Sequence, residues 1–444
     1  MKRGSELEST VEERVVEAIR GGCDELVGIA SDLIAFDTTA RMPGEPARDE
    51  RRLQEYLRDH LLALGGDADL WEPEPVPRGH PILPAGLDFA GRPQLSVRLA
   101  GYGGGRSLLL NGHIDAVSAD PVDCWTSDPF KAAVRDGRLH GRGSADMKGG
   151  IADALFALIT LRRLGVRLAG DIVFCTDTDE ESSGAGAYAC VDHGVKADAG
   201  LCAEPTGFDA WVACRGVVDA TVTVPGQAAH AEVPQPHWRD GGGVSAIDKL
   251  SVVLQALRDL RDDWQRRDDH AHPLLSPGDI VPTVVRGGEW VVTYPSSCAL
   301  TFDLQFLPAH VDGKDTGRAV FREVEERVNA AVASDPWLAE HPLRWDWPCH
   351  VVPAEVPADH PIVVTALEAA AAVGRVGGAS GMDSWHDAAA FIHPGGTPTI
   401  SFGPGGFSVA HAIDEYVPVL DLVDHAAAVA LAAMRWCGVA GRSG

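Results

Sequence analysis

The first half of the chain alternates short, continuously apolar runs with a longer segment of helical periodicity. Short apolar runs are typical of strands buried on both faces, whereas apolar residues three and four positions apart predict a helix. The predicted strands are LSVRLA (95–100), SLLLNGHIDAV (107–117), DIVFCTDTD (171–179) and AGLCAEPT (199–206), and the predicted helix is GGIADALFALITLRRLG (149–165). This alternation predicts an α/β fold whose mostly parallel sheet is flanked by helices.

The pattern changes near residue 210, where apolar and polar residues begin to alternate with period two. Such alternation predicts strands with one solvated face. The segment contains strands at 216–224 and 298–307, helices at 246–260 and 317–333, and a hairpin about Gly287 and Gly288. We therefore expect an inserted α+β domain over residues 209–351, and a discontinuous α/β domain built from 1–208 and 352–444.

Composition narrows the possible partners and the compartment. The 444 residues carry a formal net charge of -26, which disfavours nucleic acid and anionic membranes. Nine cysteines without a C-x-x-C spacing indicate neither a disulfide framework nor a cysteine zinc site, and they suit the cytoplasm. The charged, amphipathic start is unlike a signal peptide, and no apolar run reaches about 18 residues, so we expect no membrane segment.

Side chains that can bind metal follow the predicted strands of the α/β part. His113 and Asp115 end one apolar run, and they point the same way because strand side chains alternate faces. Ligands bind at the carboxyl ends of strands in open α/β sheets. Imidazoles and carboxylates without thiols suit zinc, cobalt or manganese in an open catalytic site. The candidate residues are His113, Asp115, Asp146, Glu180, Glu181, Glu204 and His411.

Each of these candidates also has an ordinary structural explanation. His113 and Asp115 could be a buried, hydrogen-bonded pair, and Asp146 could be a turn residue beside glycine. Glu180 and Glu181 could be a solvated acidic run, Glu204 could end a strand before proline, and His411 could be a loop histidine. All of these explanations must hold together for a metal site to be absent. Because every position falls where an α/β sheet places its ligands, the set favours a metal site.

Motifs along nearly the whole chain resemble those of the M20 metallopeptidase family, in family order. That family includes acetylornithine deacetylase, succinyl-diaminopimelate desuccinylase, aminoacylase and glutamate carboxypeptidase, and AEPT is similar to the deacetylase and desuccinylase branch. The motifs are GHIDAV, W-x-x-D-P-F with GRLHGRGSADMKGG, DEE, AEPT, GQAAHAEVP and FGPG-x-x-x-x-AHAIDEYV. The resemblance implies a catalytic α/β domain and an inserted, ferredoxin-like α+β lid that builds a homodimer in many members.

The resemblance also implies a centre of two zinc ions, or of cobalt or manganese. Asp146 would bridge the two ions. His113 and Glu204 would complete one metal site, and Glu181 and His411 the other. The peptide bond after Asp146 is expected to be cis, as it typically is in the family.

Two further residues would act beside the metal ligands. Asp115 would orient the ring of His113, which explains a histidine and an aspartate one residue apart. Glu180 would be the general base that deprotonates the attacking water. Since consecutive strand residues diverge, Glu180 and Glu181 must lie in a bent segment for one to face the metal and the other the water.

The lid would add residues that bind the substrate. His230, in GQAAHAEVP, matches a histidine that in dimeric relatives reaches the partner's active site and helps hold the oxyanion, although an exposed loop histidine is the alternative. Two usual contacts to substrate are replaced here by Val292 and Gln305, and a neutral glutamine cannot replace a guanidinium. The candidate pocket residues are Trp238, Arg239, Arg286 and Gln305, with Arg375 as another possible cation and a packed tryptophan as the alternative for Trp238.

The expected reaction is metal-dependent hydrolysis of an amide bond in a small N-acyl amino acid or a related compound. Dipeptidase, carboxypeptidase and N-carbamoyl hydrolase activities of the same family are alternatives, as is a non-catalytic metal-binding homologue. A serine hydrolase is disfavoured because G-x-S-x-G is absent, and a phosphate-binding loop because G-x-x-x-x-G-K-[ST] is absent.

Overall fold

The computed structural model describes residues 2–41, 45–78, 80, 82–83, 86–311, 316–348 and 350–440, without the side chains of residues 2–9. The helices are α1 (Lys2–Gly21), α2 (Cys23–Ile34), α3 (Glu50–Ala63), α4 (Lys148–Arg163), α5 (Glu180–Ser183), α6 (Ala185–Asp192), α7 (Ala246–Trp264), α8 (Arg318–Val332), α9 (Pro361–Ala372), α10 (Ala388–Ile392) and α11 (Val419–Cys437). The strands are β1 (Asp67–Trp71), β2 (Gln94–Leu99), β3 (Leu108–His113), β4 (Ala133–Arg135), β5 (Arg138–His140), β6 (Ile172–Asp177), β7 (Ala199–Cys202), β8 (Ala210–Cys214), β9 (Gly216–Pro225), β10 (Asp279–Gly287), β11 (Ser297–Phe306), β12 (Arg344–Asp346), β13 (Ala354–Glu355), β14 (Ala379–Met382), β15 (Thr399–Ser401) and β16 (Tyr416–Pro418).

A nine-stranded sheet forms the larger unit, in the order β1-β2-β6-β3-β7-β15-β8-β13, with β14 paired to β8. The pairs β3–β6, β3–β7 and β7–β15 at its centre are parallel. Towards the edges, the pairs β1–β2, β2–β6 and β8–β13 are antiparallel. The central strands therefore bring their carboxyl ends to one edge of the sheet, as the apolar runs predict.

Helices cover both faces of this sheet. One face packs against α4 and α11, with α1, α2 and α9 around them. Helix α4 is buried from Lys148 to Leu161, which explains its nearly continuous apolar sequence. The other face packs against α6 and α10, where Tyr188, Trp385 and Phe391 belong to a second core. The predicted α/β class is confirmed, and β3 is buried at every position because it lies between these layers.

The inserted unit, here called the lid, is a four-stranded antiparallel sheet in the order β10-β11-β9-β12. Along the chain its elements follow the order β9-α7-β10-β11-α8-β12, which is the ferredoxin-like arrangement. Buried and half-buried residues alternate along β11, because one face of the sheet packs on the two helices. The lid therefore has a hydrophobic core of its own, with Trp264, Phe302 and Phe306 among its members.

Two details of this region differ from the sequence prediction. The predicted hairpin about Gly287 and Gly288 is wrong, because β10 pairs with β11 and residues 289–296 form no strand. Strand β8 falls on the lid side of the predicted boundary at 208/209, yet it pairs with strands of the large sheet. The domain limits themselves stay a prediction. None of the helices in the described ranges is long and apolar enough to cross a membrane.

Candidate metal centre and active site

The carboxyl edge of the large sheet gathers histidines and carboxylates from distant parts of the chain. His113 is the last residue of β3, and Asp146 lies in the turn before α4. The Nε2 atom of His113 lies 3.1 Å from Oδ1 of Asp146. On the other side, Nε2 of His411 lies 3.0 Å from Oε2 of Glu181 and 3.5 Å from Oδ2 of Asp146. Asp146 therefore lies between the two histidines, and the peptide bond after it is cis.

These side chains form two triplets that share Asp146. The first consists of His113, Asp146 and Glu204, all of them buried, and the second of Asp146, Glu181 and His411. Within each triplet the potential ligand atoms lie within 4.8 Å of one another. The His411 side chain is 49% exposed, so the second triplet faces the solvent side. A shared carboxylate between two ligand sets is the geometry that a bridging ligand requires.

The set of donors fits divalent cations. In each triplet the donors are imidazole nitrogen and carboxylate oxygen, which suit zinc and its first-row neighbours. Oε1 of Glu181 is buried and has no hydrogen-bond partner among the described residues. Burial, together with neighbouring carboxylates, raises the pKa of Glu204 to about 8 and the pKa of Glu180 well above its usual value. A bound cation would relieve this concentration of negative charge.

Glu180 and Glu181 lie in the one-turn helix α5, as their expected position in a bent segment requires. The turn begins after Asp179, with φ 78°, and ends at Gly184, with φ 67°. The carboxylate of Asp115 accepts both main-chain N–H groups, from Glu180 at 3.2 Å and from Glu181 at 3.1 Å. This double contact fixes where the two glutamate side chains leave the backbone.

The role predicted for Asp115 needs a correction. Nδ1 of His113 lies 3.0 Å from the main-chain oxygen of Asp115 and 3.7 Å from its carboxylate, which is too long for a hydrogen bond. The main-chain carbonyl therefore orients the imidazole. The carboxylate instead faces the N-terminal end of α5, because the two amides of Glu180 and Glu181 lie within its reach.

A buried network that the sequence analysis missed holds the turn before α5. Arg92 donates to the carboxylate of Asp179, and its Nε lies 3.3 Å from Oε1 of Glu50. The hydroxyls of Ser182 and Ser183 donate to Asp179 at 2.9 and 2.5 Å. Arg92 and Glu50 lie in the chain before any of the motifs, so no local pattern pointed to them.

Glu415, also missed by the sequence analysis, holds the turn that presents Asp146. Its carboxylate accepts the main-chain N–H groups of Gly143, Ala145 and Asp146 at 3.1, 2.8 and 3.1 Å. Arg142 donates to it at 2.7 Å. The position of Glu415 inside the AHAIDEYV motif, beside His411, was the available signal. Two stretches far apart in the chain therefore fix the shared carboxylate.

A third group of potential ligands lies beneath the site. It consists of Cys175, Asp177 and Cys190, all buried. Burial raises the pKa of the Cys190 thiol well above its ordinary value. Because only a thiolate is a strong metal ligand, these three residues are a weaker candidate metal site than the two triplets.

The substrate residues predicted in the lid do not line the cavity at the metal ligands. That cavity, of about 290 Å³, is bordered by every member of the two triplets except His113, by Glu180 and by apolar side chains. Of the lid strands only β9 reaches it, through Val217. The prediction of a pocket role is therefore not met within one chain. The ring centroids of Trp238 and Trp337 lie 5.4 Å apart, and Arg239 forms an ion pair with Glu340. Arg286 is exposed on β10, and the side chain of Gln305 donates a hydrogen bond to Asp303 at 2.6 Å. Arg375 forms ion pairs with Asp421 and Asp424.

His230 also lies outside the cavity. It is exposed in a lid loop, where it forms an isolated bridge with Thr293, and its Nδ1 accepts the main-chain N–H of Glu232 at 3.2 Å. A role in the active site of the same chain is therefore not visible, and a role across subunits stays a prediction.

Comparison with known proteins agrees with this geometry. The model of peptidase family M20/M25/M40 matches residues 109–435. The chain belongs to this family. An N-formyl-4-amino-5-aminomethyl-2-methylpyrimidine deformylase of Halalkalibacterium halodurans is 28% identical over 430 residues, which cover 93% of this chain and 95% of that protein. Acetylornithine deacetylase of Shigella sonnei is 30% identical over 327 residues, covering 71% of this chain and 76% of that enzyme.

Solved structures show the same fold at lower identity. Human carnosine dipeptidase 1 superposes with a TM-score of 0.68 at 17% identity, covering 96% of this chain and 99% of that one. The resemblance drawn from the motifs is thus confirmed. As an M20 family member, the protein is a metal-dependent hydrolase that cleaves amide C–N bonds.

Proposed function

We propose that the protein hydrolyses a small N-acyl compound, with Glu180 as general base and with two divalent cations, preferably zinc, bound next to Glu180. Asp146 would hold both cations. His113 and Glu204 would complete one site, and Glu181 and His411 the other. The observation that carries the proposal is the pair of triplets that share Asp146. Cobalt or manganese would suit the same donors.

The division of work between Glu180 and Glu181 rests on their surroundings. Glu181 contacts His411 and belongs to a triplet, whereas Glu180 belongs to neither but lines the cavity. When bound, the cations would polarise the amide carbonyl and acidify a water molecule. Glu180 then accepts the proton of the attacking water and returns it to the leaving nitrogen as the C–N bond breaks.

The names of similar proteins support a small acyl group. The relatives include a deformylase and a deacetylase, and a fold neighbour from Bacillus subtilis is described as a dinuclear metal binding peptidase. We favour a neutral or singly charged N-acyl amine or amino acid, since Val292 and Gln305 offer no cation for a second carboxylate. Dipeptidase, carboxypeptidase and N-carbamoyl hydrolase activities, and a non-catalytic homologue, are the alternatives.

We further propose a homodimer formed through the lid, in which His230 reaches the partner's cavity. Strand β10 is an edge of the lid sheet and is exposed over most of its length. Beside it are large exposed apolar side chains, with Trp290 at 70% and Val291 at 90%. An exposed apolar edge strand is a surface that pairs with another chain. The cytoplasmic location that we propose agrees with the free thiols of the described cysteines.

A hydrolysis screen tests the proposal. The purified protein would be stripped with a chelator, reloaded with zinc, cobalt or manganese, and assayed on N-formyl, N-acetyl and N-succinyl amines and amino acids, dipeptides and N-carbamoyl amino acids. We expect turnover of N-acyl compounds that disappears on stripping and returns with metal. The matched control is Glu180→Gln, which should stay inactive after reloading. Full activity of the stripped protein, or no hydrolysis of any amide after reloading, would refute the proposal.

A further inference from the structure

The cavity at the metal ligands has two chemically different walls. One wall carries the carboxylates and His411. A second set of lining residues, here called the aromatic wall, is apolar and aromatic, and among its members are Trp211, Trp385, Phe407 and Val351. No lysine or arginine is found among the described residues that line the cavity. A substrate carboxylate on the aromatic wall would therefore be buried without a positive partner, which is unfavourable.

One polar side chain, His386, lies within the aromatic wall. Its side chain is buried, with 4% of the residue exposed, yet it borders the cavity. Nδ1 lies 3.1 Å from the hydroxyl of Ser401. Nε2 is buried and has no hydrogen-bond partner among the described residues. Since buried polar groups are nearly always hydrogen-bonded, this unpaired nitrogen indicates a partner that the described residues do not supply.

The imidazole is neutral and held in place by its neighbours. Burial lowers the pKa of His386 to about 4, so the ring is uncharged near neutral pH. Ser401, its hydrogen-bond partner, ends the buried central strand β15. The adjacent Trp385 donates from Nε1 to the main-chain oxygen of Val352 at 3.1 Å. Trp385 also packs on Gly184, where a Cβ atom would come within 2.4 Å of the indole ring. Both neighbours of the imidazole are therefore fixed by contacts of their own.

We propose that His386 is a specificity-determining residue that hydrogen-bonds the amine half of the substrate, and that this half is an uncharged planar ring with a nitrogen or amino substituent. The inference rests on the proposed amide hydrolysis at the carboxylate wall. With the amide at Glu180, the rest of a small substrate lies against the aromatic wall, which includes Trp211 and Trp385, and aromatic side chains pack favourably against a planar ring. A neutral imidazole can donate or accept one hydrogen bond to such a ring.

Matched amides test this assignment. The probes are the isomeric N-formyl-(aminomethyl)pyridines, N-formylbenzylamine, which lacks the ring nitrogen, and N-formylphenylalanine, which adds a carboxylate. We expect the zinc-loaded protein to favour at least one pyridine over the benzyl compound by about 10-fold or more in kcat/KM, and to disfavour the carboxylate, because an unpaired buried polar group discriminates strongly.

Variants of His386 separate a contact with substrate from a structural role. His386→Ala should lose about 10-fold or more in kcat/KM for the favoured pyridine, mainly through KM, while the benzyl compound changes little. His386→Gln, which keeps a neutral hydrogen-bonding group, should restore part of the preference. His393→Gln, at an exposed histidine directly after α10, is the control. An equal loss on both amides, or a preference for the carboxylate, would overturn the assignment.

Binding without turnover distinguishes this inference from the proposed function. Calorimetry with the free (aminomethyl)pyridines should show binding to the zinc-loaded protein, and binding to His386→Ala weaker by about 10-fold or more. That result would support the ring site even if no amide were hydrolysed, an outcome that would refute the proposed function alone. Hydrolysis of other amides, with equal binding of the pyridines to both proteins, would overturn the ring site alone.

Discussion

The carboxyl edge of the nine-stranded sheet and the inserted lid use their polar side chains in opposite ways. At the sheet edge, His113, Asp146 and Glu204 are buried and contact one another or their supporting residues. In the lid, His230 and Arg286 are exposed and contact nothing in the cavity. Polar groups are buried together only when they are paired or bind a ligand. The sheet edge therefore gathers its ligand side chains within one chain, whereas these lid residues add nothing to the cavity of their own chain.

The largest effect should follow from removing the shared carboxylate. Asp146→Asn keeps the shape of the side chain but removes the charge that both triplets share, so we expect loss of bound metal and a fall in kcat/KM of about 10³ or more. Metal analysis and steady-state kinetics measure the two effects. The control is Asp136→Asn, in the exposed β4–β5 turn at φ 50°, which asparagine tolerates. Retained activity would show that the site is not shared in this way.

A smaller loss of activity should follow from changing Asp115, whose carboxylate binds the first two main-chain amides of α5. Asparagine offers one acceptor oxygen, so Asp115→Asn cannot receive both amides of Glu180 and Glu181. We expect kcat/KM or metal affinity to fall by about 10- to 100-fold, the usual range for a residue behind the ligands. The exposed Asp123→Asn serves as the comparison. Wild-type kinetics in Asp115→Asn would mean that α5 is held by its other contacts.

Mixing two inactive variants tests whether His230 of the lid acts in the active site of a partner subunit. If His230 acts across a dimer, a hybrid of His230→Ala and Glu180→Gln chains has one site with both residues intact. Random exchange should then restore about a quarter of the wild-type activity. The control mixes two preparations of the same variant, which should stay inactive. A fully active monomer, or no recovery after proven exchange, contradicts the proposal.

The smallest effect concerns stability of the lid and not catalysis. Burial, with His310 nearby, lowers the pKa of the buried His270 to about 4. Between pH ~6.5 and pH ~4 the histidine is protonated in the unfolded chain but not in the folded chain. The stability that the neutral, buried His270 contributes is therefore fully present above pH ~6.5 and is lost as the pH falls towards 4. We expect hydrogen exchange of α7 amides to report a loss of about 1–2 kcal/mol between pH 7 and 5. The loss should shrink in His270→Gln and persist in the exposed His237→Gln.

The same contrast explains which site residues could be predicted from the sequence. His113, Asp146, Glu204 and the DEE segment could be found because each stands at or just beyond a readable strand or glycine-rich turn. Arg92 and Glu50 could not, because Arg92 contacts the distant Asp179 and Glu50 contacts Arg92, and no local pattern encodes these long-range contacts. His386 was missed because a histidine behind an apolar wall has no spacing of its own.

The placement of some strands was hard to predict for a similar physical reason. Strand β8 and strand β9 follow each other after a single residue, so no loop in the sequence marks where the chain passes from one sheet to the other. Val291 and Val292 predicted a returning strand, yet in the structure they form no strand, and Val291 is exposed. Period-two patterns report that a residue can form a strand, and pairing decides whether it does.

The central claim is that Glu180 moves the proton while Glu181 holds metal. The most direct test measures bound metal and turnover side by side in Glu180→Gln and Glu181→Gln, which differ only in which of two adjacent carboxylates is removed. The account predicts that Glu180→Gln keeps its metal near the wild-type content and loses turnover by about 10² or more, whereas Glu181→Gln loses bound metal. Metal lost from Glu180→Gln and kept by Glu181→Gln would contradict the account and reverse the two roles.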